Sequence, residues 1–262
     1  MTRIVHISDL HFGRERPELL EPLRLAILQA EPDLIAVSGD LTQRARNRQF
    51  RAAVAFLDGL GCDWLCVPGN HDMPLDVFWH RFLWPFKRYR RHVSSNLAPV
   101  WHAPGVCLQA FNTADPWQWQ AGKVRRWQLW RACSAFREHK GLNIVVAHHP
   151  FEEPANSGKT AMKRAGPSLR ALNEAGTSLI LSGHLHKWQA APFVTPEVGD
   201  GMLQVHVGTG LSNRLRGEEN DFAVLDVSEN RLAITRMVAR MSGFEAEPPL
   251  KFAYEDGSWR AL

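Results

Sequence analysis

Cysteine is scarce in this chain. Cys62, Cys66, Cys107 and Cys133 are the only four among 262 residues and no two of them form a CxxC pair, so neither a disulfide framework nor a zinc ribbon is encoded. They read as reduced thiols, mostly buried as small apolar groups in a cytoplasmic protein. No apolar run approaches the roughly 20 residues needed to span a bilayer. The opening MTRIVHISDL lacks the basic segment, long apolar core and small-residue cleavage site of a secretory signal, which argues against export. Internal repeats, low-complexity tracts and long linkers are also missing. A strong excess of one charge is absent as well: the net charge is +4 with a pI near 9.0. That mildly favours anionic partners but falls short of a nucleic-acid-binding composition, so no stable nucleic-acid complex is expected.

What is present is ample core material. With 45% hydrophobic and 22% charged residues, one globular unit over residues 1–262 is expected, and its oligomeric state is left open. RIVHI, DLIAV, DWLCV, NIVVA and TSLIL are short β-rich apolar runs of the kind buried on both faces of a sheet. Between them lie the helical patterns PELLEPLRLAILQA, NRQFRAAVAFLDGL, VRRWQLWRACSAFREHK and PSLRALNEAG. The first starts on a proline suited to a helix N-terminus and the last ends on a glycine. Alternating strand and helix predict a layered α/β fold. From about residue 187 the pattern changes to strands alone, in WQAAPFV, GMLQVHVG, DFAVLDV and RLAITRMV, which predicts a second, largely antiparallel sheet. EEPANSGKTAMKRAGP reads as an exposed connection and the best candidate for a mobile loop.

Each of the five buried-strand candidates ends in metal-capable side chains. Asp9 and His11 follow RIVHI, Asp40 follows DLIAV, Asn70 and His71 follow DWLCV, His148 and His149 follow NIVVA, and His184 and His186 follow TSLIL. Any one of these has a bland reading: GNHD, Gly69 to Asp72, is a good turn sequence, with Gly69 permitting the bend. Five in order are hard to obtain by chance, and carboxyl ends of strands in α/β sheets line a common crevice. The set offers oxygen and nitrogen donors without thiolate, suiting Mn, Fe or Zn.

DLH, GD, GNHD, HHP and GHLH resemble the five blocks of the calcineurin-like metallophosphoesterases, from Ile4 to about His186, and the sequence is most similar there to bacterial class III cyclic nucleotide phosphodiesterases. The resemblance implies a four-layer α/β/β/α sandwich of two mixed sheets flanked by helices. It implies two metal ions: Asp9, His11 and His186 on one, Asn70, His148 and His184 on the other, and Asp40 bridging. Two metals sharing an activated hydroxide would attack a small anionic phosphoester, expected to be a phosphodiester such as a cyclic nucleotide. His71, beside ligand Asn70 but not itself expected to coordinate, is the candidate to meet the leaving group, with Asp72 accepting a hydrogen bond from its ring. His149 is left as a neighbour of the ligands or a substrate-facing residue. The other histidines, His6, His80, His92, His102, His139 and His206, carry no motif and read as packed or solvated.

Substrate choice is less legible. After GNHD the segment 74–93 interleaves aromatics with Arg81, Lys87, Arg88, Arg90 and Arg91. The reading favoured is an amphipathic helix with aromatics in the core and arginines in water; binding of substrate, or peripheral membrane contact close to the active site, are the alternatives. Asn112 and Thr113 are candidates to frame the phosphate pocket. Arg214 and Arg216 are candidates to reach a second anionic group, against a slightly preferred surface salt bridge to Glu218 or Glu219. A lipid pyrophosphatase, a nuclease and a non-catalytic scaffold remain as competing readings. GDLTQRA and GNHD in place of GDxVDRG and GNHE argue against the phosphoprotein phosphatase branch.

Overall fold

The computed structural model describes residues 1–75, 78–152, 162–195, 198, 201–255 and 257–262. In chain order the first half runs β1 (Thr2–Ile7), α1 (Pro17–Ala30), β2 (Leu34–Val37), α2 (Asn47–Asp58), β3 (Trp64–Cys66), α3 (Phe78–Leu83), α4 (Lys87–His92), β4 (Val100–Ala103) and β5 (Val106–Phe111). It continues with α5 (Arg126–Glu138), β6 (Leu142–Ala147), α6 (Ala165–Glu174), β7 (Leu179–Ser182), β8 (Gln189–Pro192) and β9 (Leu203–His206). The last five strands are β10 (Asp221–Ser228), β11 (Arg231–Arg240), β12 (Gly243–Ala246), β13 (Leu250–Glu255) and β14 (Ser258–Ala261).

Local chemistry explains the main elements. Helix α1 opens on Pro17, whose missing N–H falls where a helix has no partner to offer. It buries the stripe Leu19, Leu23, Ala26 and Ile27, and stops at Glu31 in a left-handed conformation with φ 48°. In α2 the stripe Gln49, Phe50, Ala53 and Leu57 has the same spacing. Strands β2, β6 and β7 are buried at every position, as parallel strands covered on both faces must be.

Two sheets stack. One runs β14-β13-β11-β10-β1-β2-β3 with β12 beside β11, and the other runs β4-β5-β6-β7-β9-β8. Both are mixed: β1-β2-β3 and β5-β6-β7-β9 are parallel, while β10 joins β1 and β8 joins β9 antiparallel. Ile4, Ala36, Leu65, Leu108, Ile144, Leu181 and Leu225 fill the layer between the sheets. The outer face of the first sheet is covered by α1, α2 and α4, and that of the second by α5 and α6. This is the α/β/β/α sandwich the resemblance implied.

The late strands depart from expectation. They do not make a sheet of their own. Strands β8 and β9 extend the β5–β7 sheet, whereas β10 inserts next to β1 and carries β11 to β14 with it. Strand β10 is buried over its first five residues, Asp221 to Leu225, so it serves as an interior strand beside β1. Of the stretch EEPANSGKTAMKRAGP, residues 152–167, positions 153–161 lie outside the described residues. Its end is not an exposed connection: Met162 and Ala165 are buried, and 165–167 open α6.

Candidate metal centre

The ends of β1, β2, β3, β6 and β7 meet at one edge of the sandwich. Reaching that edge takes unusual backbone. Of the eight described non-glycine residues with positive φ, five are Asp9 (51°), His11 (46°), Asp40 (51°), His184 (68°) and His186 (55°). Left-handed conformations at such residues cost of order 1–3 kcal/mol each and are kept where the surroundings over-determine them.

Here the surroundings do so through the carboxylates. Asp9 Oδ2 accepts from the Ser8 hydroxyl at 2.6 Å and from the His184 backbone N–H at 2.8 Å. Asp40 Oδ1 accepts from the His71 backbone N–H at 2.8 Å. The second oxygen of each therefore faces inward. Asp9 Oδ1 lies 3.0 Å from His186 Nε2 and 3.5 Å from His11 Nε2, and the two imidazole nitrogens are 3.2 Å apart. On the other side His148 Nε2 is 3.1 Å from Asn70 Oδ1 and 3.2 Å from His184 Nδ1. Asp40 Oδ2 stands between the two groups, 3.7 Å from His11 Nε2 and 3.4 Å from His148 Nε2. The structure thus brings together all seven residues singled out as ligands, in two sets that share one carboxylate oxygen.

The donor set fits cations. The Ser38 carbonyl, which can only accept, sits 2.8 Å from His148 Nδ1, so that nitrogen carries the hydrogen. The lone pair at Nε2 then points at an amide oxygen and a carboxylate. His186 is fixed in the same way, its Nδ1–H donating to the Arg214 carbonyl at 2.8 Å while Nε2 faces Asp9. Acceptors facing acceptors in a buried site require positive charge between them. When no cation is bound, protons take that place. Burial would lower His148, yet Asp40 lifts it to about 9. Burial would raise Asp9 and Asp40, yet His186 and His148 respectively hold both well below the usual carboxylate range. His11 goes the other way, pushed down by burial to about 4 against the pull of Asp9.

GNHD is a single 3-10 turn over Asn70–Asp72, and two readings of it are corrected. Gly69 has an ordinary extended φ of −95°; glycine is required because a Cβ would lie 2.1 Å from Asp40 Oδ1. Asp72 does not touch the His71 ring. Its carboxylate accepts from the backbone N–H of Leu41 (3.2 Å), Thr42 (2.9 Å) and Gly69 (3.0 Å) and from the Thr42 hydroxyl (2.9 Å), clamping two loops together. Burial, and then the Asp40 charge, push its carboxyl up to about 7. His71 is oriented instead by the Gln43 carbonyl, 3.0 Å from Nδ1, and its Nε2 accepts from the Arg214 guanidinium at 2.9 Å. The ring stands edge-on to His11 with centroids 4.8 Å apart.

Arg214 therefore lies in the site, through its side chain to His71 and its carbonyl to His186. The alternative surface salt bridge does not form: Glu218 pairs with Arg236 at 2.8 Å. Arg216 is exposed and joins none of these contacts. His149 is buried beside His148 and His184, its Nδ1 2.8 Å from the Thr113 hydroxyl. Asn112 does not frame the pocket; its amide oxygen accepts from the Ala114 N–H at 3.1 Å and shapes its own turn. His80 and His102 are exposed, and His6 and His206 are packed in the interior.

Within the segment 74–93, α4 keeps the expected orientation, with Phe86 and Tyr89 buried and Lys87, Arg90 and Arg91 exposed, whereas α3 inverts it. Tyr89 is buried and donates to the Cys66 carbonyl at 2.9 Å, but Arg81 is only 2% exposed while Trp79 and Trp84 are 70% and 55% exposed. Sequence reasoning missed Ser8, Ser38 and Gln43. A signal did exist for the serines. ISD, VSGD and LSGH each place a serine just before a candidate ligand: Ser8 bonds Asp9, the Ser38 hydroxyl meets His6 Nε2 at 2.9 Å, and Ser182 meets His206.

The calcineurin-like phosphoesterase family matches residues 2–188 of this chain. A probable cyclic nucleotide phosphodiesterase of Synechococcus is 26% identical over 199 residues, covering 70% of this chain and 73% of its own. The glycerophosphodiester phosphodiesterase GpdQ of Enterobacter lignolyticus is 31% identical over 80 residues, 26% of this chain and 29% of its own. Among solved structures, a dimetal phosphatase from Danio rerio superposes with a TM-score of 0.70 at 13% identity, covering 97% of this chain and 99% of that one, a likeness of fold.

Proposed function

Because the chain belongs to the calcineurin-like phosphoesterase family, and is thus a metal-dependent phosphoester hydrolase, we propose that it cleaves a small phosphodiester at a dinuclear centre. Asp9, His11 and His186 would hold one cation, Asn70, His148 and His184 the other, and Asp40 would serve both. Such a pair supplies Lewis acidity toward the phosphoryl oxygens and an attacking water of lowered pKa. The observation that carries this reading is Asp40 Oδ2, standing within 3.7 Å of both donor sets. Its partner oxygen is tied down by the His71 N–H, so the bridging one has a fixed direction.

The chain's own residues supply the rest. The neutral amide of Asn70 donates an oxygen without adding charge to a site that must attract an anion. Arg214 places a guanidinium at the margin, where it neutralises a non-bridging oxygen or the departing one. His71, with its Nδ1–H held by the Gln43 carbonyl, presents an Nε2 lone pair on the same side. To protonate the leaving oxygen it must first take up a proton at Nε2 and give up the hydrogen bond from Arg214. Asp72 acts at a distance, by fixing the turn that carries both Asn70 and His71. A cyclic nucleotide or a glycerophosphodiester fits this chemistry, in keeping with the activities named for the two relatives.

The test is turnover of a bis-aryl phosphodiester, an aryl monoester, cyclic nucleotides and a lipid pyrophosphate by chelated protein reloaded with Mn, Fe or Zn. Diester hydrolysis restored by metal is expected, with about two ions bound per chain. Asn70→Ala should retain about one ion and lose at least ~100-fold in turnover. Full activity and full metal content in that variant would remove the second site from the proposal.

A further inference from the structure

All six exposed tryptophans lie between residues 79 and 130: Trp79, Trp84, Trp117, Trp119, Trp127 and Trp130. Over residues 78–137 the chain has ten Lys or Arg and a single acid, Asp115. Exposed aromatic rings among unopposed cations are uncommon on a protein that faces only water. Their arrangement is built. Trp79 and Leu83 (59% exposed) are four apart on α3 and share a face. The 115–119 loop is held against that helix by the buried Arg81, which donates to the Pro116 and Gln118 carbonyls at 3.0 and 2.7 Å and stacks on Trp119 at 4.7 Å. Phe82 packs on Trp117 with centroids 4.6 Å apart. Trp79 on the helix and Trp117 and Trp119 on the loop are thereby fixed together, with Trp84 just past the helix end against His80. A recess of about 210 Å3 beside them is lined by His80, Trp84, Lys87, Arg88 and Arg91.

This surface adjoins the metal centre from both sides. Helix α3 follows the GNHD turn, and Pro74 lines the recess. The aromatic loop starts at Thr113, which bonds His149, and ends near Gly122, which packs on the His149 ring. We propose that this rim docks on an anionic phospholipid bilayer, with Trp79, Leu83, Trp84, Trp117 and Trp119 at the headgroup boundary and Lys87 and Arg91 on lipid phosphates. Indole rings favour that boundary because one edge is apolar and the N–H wet, and each nearby cation adds attraction to an anionic surface. Charge complementarity separates this occupant from a protein partner: 78–114 offers no carboxylate at all.

The experiment is co-sedimentation of the full chain with vesicles of phosphatidylcholine alone or mixed with phosphatidylglycerol, with tryptophan emission and brominated-lipid quenching read on the same samples. Binding to the anionic vesicles is expected, weakened by salt and accompanied by a blue shift. Lys87→Gln should weaken partition about fivefold. Trp79→Ala with Trp84→Ala should weaken it at least ~10-fold. Metal-loaded turnover of a soluble bis-aryl diester should be unchanged in both. Since metal-free protein should bind equally well, failure of the phosphodiesterase reading leaves this result standing. Protein that stays in the supernatant with anionic vesicles at low salt, or variants that bind as the parent does, overturns the proposal, and the patch is then left to a protein partner.

Discussion

At the scale of single residues the centre is organised by backbone donors. Asp9, Asp40 and Asp72 each spend part of their carboxylate on N–H groups of neighbouring loops, and only Asp9 and Asp40 keep an oxygen for the site. Removing Asp72 should therefore act through structure. Asp72→Ala leaves the N–H groups of Leu41, Thr42 and Gly69 buried without their acceptor, at about 1–3 kcal/mol for each group left unpaired. A fall of ~3 kcal/mol or more in urea-unfolding free energy is expected, together with reduced metal content. Asp72→Asn, which keeps an acceptor oxygen, should recover part of both. Sequence identified the residue as important but gave it the wrong partner. Adjacency along the chain suggested His71, and the turn instead sends the carboxylate back toward residues 41 and 42. The donor for His71, Arg214, is 143 positions away, and no local pattern relates the two.

At the scale of elements, periodicity was sound for register and poor for direction. The repeat in α1 and α2 located both helices and their buried stripes. In α3 it showed which residues share a face without showing which face is inward. That was decided by the carbonyls of Pro116 and Gln118, which take the Arg81 guanidinium into the interior and leave the tryptophans outside. Burial lowers the Arg81 pKa from its ordinary value, and the two carbonyls offset that cost. Arg81→Leu should release the 115–119 loop: faster proteolytic cleavage there than in the parent, a stability loss of about 2 kcal/mol, and unchanged metal content. Cleavage at the parental rate would mean that Phe82 and Trp117 hold the loop unaided.

At the scale of the whole molecule two buried histidines set a pH window. His6 on β1 and His206 on β9 are lowered by burial to about 3 and about 4. Unfolded, each takes a proton near its ordinary value of about 6.5. Between these limits the unfolded chain binds more protons, so unfolding free energy rises with pH; it is complete above about 6.5 and is lost as pH falls toward 3 to 4. Each contributes a slope of up to about 1.4 kcal/mol per pH unit. In metal-free protein His11, at about 4, adds to this decline, while Asp72 and Asp221, pushed up to about 7 and about 6, oppose it. The readout is therefore a difference: the decline of urea-unfolding free energy from pH 7 to 4 should be less steep in His206→Phe than in the parent. Composition and motif by themselves determined the layered fold and the nine donor-capable residues at five strand ends, because apolar runs and strand-terminal side chains are written locally; the choice of seven among them came from the family resemblance. Tertiary structure decided how the late strands divide between two sheets, which residue orients His71, and which side of α3 faces water. Each of those depends on hydrogen-bond partners and sheet neighbours brought in from distant parts of the chain, and one-dimensional spacing carries no record of them.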